Sequence, residues 1–252
     1  MSSSIIANSA TLGENTRYGE FCVISDNVAI GAGCVIGHGV KIHEGAQIGD
    51  NVRIDDNAVI GKNPMKAANS AITKEQVLPV TTIGSNCIIG TNVVIYRGCE
   101  IGNKVLVADL ATVRENVTVG EFTIIGRGVT VENFCTIGRY CKLESNAYIC
   151  AYCTIEDRVF IAPCVATSND NYMGRSEERF KHFKGVTIKK GGRIGVNATI
   201  LPGKVIGADS QIAGGALVTK DTPDGKLIVG APGKVWRDVD DAQLLKNQDW
   251  PE

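Results

Sequence analysis

The chain has 252 residues, a formal net charge of −1 and a mean hydropathy near zero (+0.04). Its length allows one or two domains, and the balanced charge argues against a general nucleic-acid binder. No run approaches the roughly 18 apolar residues that a spanning helix takes.

Met1-Ser2-Ser3-Ser4-Ile5 lacks a basic segment followed by a long apolar one, so no signal peptide is expected. From Ile6 a six-residue beat begins and continues as Leu12, Tyr18, Ile24, Ile30, Ile36, Ile42, Ile48, Ile54 and Ile60. It runs again from Ile83 to Ile161 without a slip, and a third time from Ile188 to Val218. That makes 30 hexads, with Tyr18 the one non-aliphatic beat residue. Helices bury about every 3.6 residues and ordinary strands every second; a period of six is the mark of hexapeptide β-helix repeats. A sandwich or barrel would show alternation and frequent hairpin turns, and neither is present.

Gly follows the beat residue in 14 of the 30 hexads, which suggests a corner needing backbone angles that a Cβ forbids. A small apolar residue recurs four after the beat (Val28, Val40, Ala46, Ala58, Val93). Three hexads per turn close a coil of 18 residues with sides of about 20 Å, so about ten coils are expected. Burying each aliphatic contributes roughly 1.5–3 kcal/mol, enough in sum to need neither disulfide nor metal. Seven of the nine cysteines fall at the small inward position and read as small buried hydrophobes. Cys150 and Cys164 fall off it, where more exposure is expected. Abundant free thiols suit a reducing cytoplasm. Lys204 also falls at an inward position, which is anomalous.

The expected division is a solenoid over 1–221 and a tail over 222–252. Two segments leave the register, 62–80 and 167–187, and read as loops extruded from corners; insertions in solenoids often line a binding face. The tail contains Asp238–Gln248, read as a short helix with Leu244 and Leu245 for docking.

The repeats, with Ile200-Leu201-Pro202-Gly203, the run Ile212–Asp221 and Val229-Gly230-Ala231-Pro232-Gly233, resemble the hexapeptide-repeat acyltransferases. Glu156-Asp157, Val159-Phe160, Ala162-Pro163 and Ser168-Asn169 are similar to the branch that N-acetylates nucleotide-linked amino sugars. About a third of the chain carries these motifs. The resemblance implies an all-β, left-handed parallel β-helix, a cytoplasmic homotrimer with sites between subunits, and acetyl-CoA as donor. It implies a UDP- or dTDP-linked amino sugar as acceptor, for surface glycan synthesis, with no metal, no nucleic acid and no membrane partner.

Acyl transfer needs a neutral amine, donors for the developing oxyanion and a destination for a proton. Asn169 matches the family residue that holds the sugar amine; its alternative is an Asx-turn where the chain leaves the coil. Asp170 and His182 are further catalytic candidates, and Glu156 another proton acceptor. Asn171, Arg175, Glu144 and Asn146 are candidates for the sugar. Arg175 is offset by one from the family arginine, and Met173-Gly174 stands where relatives carry Pro. On the donor side, Gly195, Ala213 and Gly214 would let pantetheine approach the backbone. Lys189, Lys190, Arg193, Lys220 and Lys234 suit the phosphates. Alternatives are O-acetylation, a longer acyl group, a non-catalytic trimeric solenoid, or a γ-type carbonic anhydrase using His38, His43 and His182.

Overall fold

A computed structural model of the protein describes residues 3–68 and 76–248. Strands of mostly two residues stack into three parallel sheets, each strand pairing with the one 18 residues on, as Ile24 pairs with Ile42 and Ile125 with Leu143. Face I starts at Ile5–Ile6, face II at Thr11–Leu12 and face III at Arg17–Tyr18; they hold eleven, ten and twelve strands. The result is a three-sided β-helix slightly longer than the expected ten coils. In each repeat strand up to Leu217–Val218 the second residue is the beat residue, and beyond the first coil it is buried. At the N-terminal end the stack is open, and Tyr18 is exposed.

The corners correct one expectation. The left-handed backbone falls three residues after the beat, most often on Asn (Asn27, Asn51, Asn92), a residue that tolerates it. Apart from Gly61 (φ 77°), the glycines directly after the beat serve close stacking instead: a Cβ on Gly138 would lie 2.6 Å from the Asp157 nitrogen of the next coil. Corner N–H groups are satisfied between coils, as where Asp157 accepts from Arg139 N–H at 2.8 Å.

All nine cysteines are free, eight of them buried. Cys164 is exposed as expected, but Cys150 is 2% exposed. The cause is the root of the second loop, which closes over it: Cys150 N–H donates to Thr167 Oγ1 at 2.8 Å, and its thiol lies 3.5 Å from that of Cys153. Lys204 is only half-buried, with its carbonyl still in register, accepting from Thr187 N–H.

Both extruded segments leave face I and return on face II. The first follows Val59–Lys62 and rejoins at Thr82–Ile83; residues 69–75 of it lie outside the described residues. The second follows Ala166–Thr167 and rejoins at Thr187–Ile188. Thr167 keeps the beat as a thirty-first hexad, burying its hydroxyl by donating to Tyr148 O at 3.1 Å.

The tail differs from the expected helix. Lys226–Val229 pairs parallel with Gln211–Ile212 and so extends face III, and Lys234–Asp238 folds back antiparallel on it. Two single 3₁₀ turns follow, Asp241–Gln243 and Leu245–Asn247, separated by an extended Leu244 (φ −72°, ψ 146°). Adjacent leucines cannot form a helical stripe, which needs i, i+3 or i, i+4 spacing. The extended break instead seats Leu245 against Gly191.

Candidate active site

The edge between faces I and II carries both loops and the densest polar chemistry. Asn169 stands two residues past the buried Thr167, at the root of the second loop. Its Nδ2 donates to Ala151 O at 3.4 Å, and its carbonyl accepts from Lys184 N–H at the loop's far end. Val186 N–H donates to the Cys153 sulfur, so both ends of the loop are bonded to the Cys150–Cys153 corner beneath. Asp170 holds the loop's shape. Its carboxylate accepts from Tyr172 N–H (2.8 Å) and Gly174 N–H (2.9 Å) and pairs with Arg179 at 3.3 Å. Desolvation opposes its ionisation, but these hydrogen bonds and Arg179 outweigh it and hold the carboxyl below its ordinary range. Asn171 and Arg175 are exposed further out. His182 sits 3.1 Å from Glu178 Oε1, stacked near Tyr172, on the same loop.

Sequence reasoning missed what lies on this edge between the loops. Arg114 forms a forked pair with Glu115 (2.9 and 3.1 Å) and reaches Glu132 at 3.3 Å, one coil on. Glu115 is 1% exposed. Burial raises the Glu132 carboxyl, with Arg114 pulling the other way, and burial pushes the Tyr148 phenol up to about 12. Asn133 is buried at 2% exposure, and its Nδ2 has no hydrogen-bond partner among the described residues. Arg114 also lies over the Tyr96 ring at 5.0 Å. The available signal was charge directly after the beat, where Gly is commonest, repeated at 18 residues as Arg114 and Glu132.

The donor-side candidates divide among other edges. Gly195 stacks on Ala213 and Gly214 at the III–I edge, where a Cβ on Gly195 would lie 2.6 Å from Gly214 N. Glu144 and Asn146 lie on that edge too, Asn146 in the left-handed region (φ 60°) with its side chain over Gly128. Lys189 and Lys190 are on the II–III edge, Lys189 facing Asp224 at 3.7 Å and Lys190 N–H donating to Glu156. Lys220 and Lys234 meet in one cleft of about 340 Å³, with Thr222, Pro223 and Pro232. Lys220 is on the I–II edge, two coils beyond Asn169, or about 10 Å at the parallel-strand spacing. Across face III a second cleft of about 290 Å³ brings Arg193 and Glu144 together under the tail.

The histidines do not converge. His38 is on the III–I edge, accepting from Glu20 N–H at Nδ1, and His43 is on the I–II edge. Burial first, then Arg97, Lys62 and Lys41, lower the His43 pKa. Among the described residues no group of three His, Cys, Asp or Glu is arranged to hold a metal.

Comparison with known proteins agrees with this architecture. Residues 21–56 match the model for bacterial transferase hexapeptide (six repeats), and residues 71–174 that for the GMPPB C-terminal domain. The chain is 40% identical over 55 residues to a 2,3,4,5-tetrahydropyridine-2,6-dicarboxylate N-acetyltransferase of Staphylococcus aureus. It is 34% identical over 79 residues to the bifunctional protein GlmU of Rubrobacter xylanophilus. These matches span 22% and 31% of this chain, but only 23% and 16% of those proteins. The Arabidopsis UDP-N-acetylglucosamine acyltransferase superposes over 94% of this chain and 73% of its own (TM-score 0.65, 17% identity). The UDP-N-acetylglucosamine O-acyltransferase of Moraxella catarrhalis does so over 99% and 77% (TM-score 0.53, 19% identity). At these identities the likeness is one of fold. By its repeat, its prism and the matched model, the chain is built of bacterial transferase hexapeptide repeats and is similar to the hexapeptide-repeat acyltransferases.

Proposed function

We propose that the chain transfers an acetyl group from acetyl-CoA to the amine of a nucleotide-linked amino sugar. The observation that carries this reading is the I–II edge. An amide side chain at a loop root (Asn169) and Lys220 lie on it about two coils apart, and Lys220 shares a cleft at the C-terminal end of the prism with Lys234 of the tail strand. Asn169 would present its Oδ1 to an amine N–H while Nδ2 is held by Ala151 O. The neutral amine attacks the thioester carbonyl, a C–N bond forms, the C–S bond breaks, and coenzyme A departs as the thiol with the proton the amine gives up. Asp170 takes no part in that proton transfer, because its carboxylate is occupied by two N–H groups and Arg179.

A homotrimer belongs to the same proposal. Gly195, Ala213 and Gly214 face away from Asn169 on another edge of the prism, so this pantetheine stripe and Asn169 meet only if a neighbouring copy supplies one of them. A cytoplasmic setting belongs to it as well. The second reading, O-acylation, is favoured by the name of one solved relative, the Moraxella O-acyltransferase.

The test is thiol release from acetyl-CoA across a panel of UDP- and dTDP-linked amino sugars and their hydroxy counterparts. Turnover confined to the amines, falling at least tenfold in Asn169→Ala with the melting temperature unchanged, is expected. Turnover indifferent to that substitution moves the acceptor elsewhere, and turnover on the hydroxy sugars selects O-acylation.

A further inference from the structure

We infer that the cleft across face III, roofed by the C-terminal tail, binds the phosphate and base of a nucleotide. The inference rests on the transferase reading for the source of that nucleotide but not for its binding. The cleft, about 290 Å³, is near the small end of those that hold a small organic ligand. Its floor is a column of outward side chains at successive coils, Lys142, Phe160 and Arg193, in parallel register. Arg158 flanks it from the II–III edge, with its guanidinium 4.6 Å from the Tyr140 ring.

The roof is the tail. Leu245 sits against Gly191, Leu245 N–H donates to Asp209 Oδ1 at 3.2 Å, and Gln243 Oε1 accepts from Arg193 Nη1 at 3.3 Å. These contacts aim Arg193 yet leave its Nη2 buried with no partner among the described residues. A buried donor on a charged group is costly to leave unmade, and planar guanidinium forks suit phosphate oxygens.

The rest of the lining fits the other parts of a nucleotide. Phe160, 37% exposed, offers a ring face to a base, a contact that tolerates any base because each has a π-face. Glu144 supplies carboxylate acceptors for ribose hydroxyls, a role acidic residues take in nucleotide sites. Asp209, the other acid of the cleft, is already spent on the tail. Lys142, Arg158 and Arg193 then stand against two carboxylates, of which Asp209 is turned to the tail. Lys142, Phe160, Arg158 and the tail are absent from the acyl-transfer chemistry proposed above.

The same chemistry is carried by two sources, the nucleotide of the acceptor and the adenosine end of coenzyme A. Titration calorimetry on the full chain, with UDP, dTDP and adenosine 3′,5′-bisphosphate as separate probes, tests the cleft and tells them apart. At least one nucleotide is expected to bind, with affinity falling at least tenfold in Arg193→Gln and about as much in Phe160→Ala. Leu245→Ala, which removes only the roof contact, should weaken it severalfold, with thermal melts confirming that all three variants fold. The probe that binds names the source. Failure of all three to bind at millimolar concentration, or equal binding by wild type and Arg193→Gln, overturns the inference. Thiol release measured on the same samples separates that failure from failure of the transferase reading.

Discussion

The two extruded segments leave the same edge of the prism, yet they are held in opposite ways. The first is held by the coils: Arg97 reaches out to Leu78 O (3.3 Å) and Glu44 O (2.8 Å), and Leu78 is buried against the corner. The second, tied to the coils at its two ends, is shaped between them by its own bonds, through Asp170 and its ring of N–H donors. The core pairing runs on across both insertions, Ile60 with Ile95 and Thr167 with Ile200, with one register shift between Ile60 and Lys62 where the first segment departs. A solenoid corner can therefore extrude a long segment at small cost, provided the few corner N–H groups find partners. A segment shaped by the coils can vary little without altering them, whereas a self-shaped one is free to be fitted to a ligand. That difference favours the second loop as the acceptor's side of the site.

The sharpest way to break this comparison is to attack the coils between the loops. Arg114→Ala would strand Glu115, 1% exposed, as a buried carboxylate without its fork. Removing one partner of a buried pair costs about 3–5 kcal/mol, which a urea or thermal midpoint reports. Arg114→Lys should recover part of it, since lysine cannot reproduce the fork. An Arg114→Ala midpoint within error of wild type would mean the cluster is ornamental and the edge a mere spacer. The next largest effect belongs to Leu78→Ala, expected to cost about 2–3 kcal/mol by loss of a buried aliphatic. Its loss should appear as faster proteolysis confined to the first segment, with thiol release unaltered. Reduced turnover in that variant would place the first segment in the site.

Most of the fold was legible because the six-residue beat states both the core and the pairing: register follows once every eighteenth residue stacks. What escaped did so for local reasons. Thr167 hid one hexad, since its hydroxyl satisfies itself on Tyr148 O and Cys150 N–H where an aliphatic was expected. With that hexad missing, the edge from which the second loop departs cannot be counted correctly. The glycines after the beat were legible as corner residues but for the wrong cause, because chain crowding between coils leaves no mark distinct from unusual backbone angles. The site was legible in parts. Asn169, Lys220 and Arg193 can be picked out one by one, but Phe160 stacks on Arg193 only across the second insertion, and Gln243 joins it only through a tail whose return no periodicity announces.

The smallest predicted effect tests the self-made character of the second loop through pH. The Asp170 carboxyl is held below its ordinary value by Gly174 and Tyr172 N–H and by Arg179, against desolvation. A carboxyl depressed in the folded state contributes its full stabilisation above the unfolded value, about 3.9. That contribution is lost as pH falls through the lower folded value. Amide exchange at Tyr172 and Gly174 should therefore be protected at neutral pH and lose that protection severalfold in acid below pH 4. Chemical exchange itself is corrected against an unstructured peptide. Asp170→Asn should bring the neutral-pH protection down to the acid level and abolish its pH dependence, because the amide keeps one acceptor but no charge for Arg179. Protection in the first segment should ignore both changes, since its anchors there are an arginine and main-chain carbonyls. Equal loss in both segments would mean that the loops are coupled along the edge, and the contrast between them would be withdrawn.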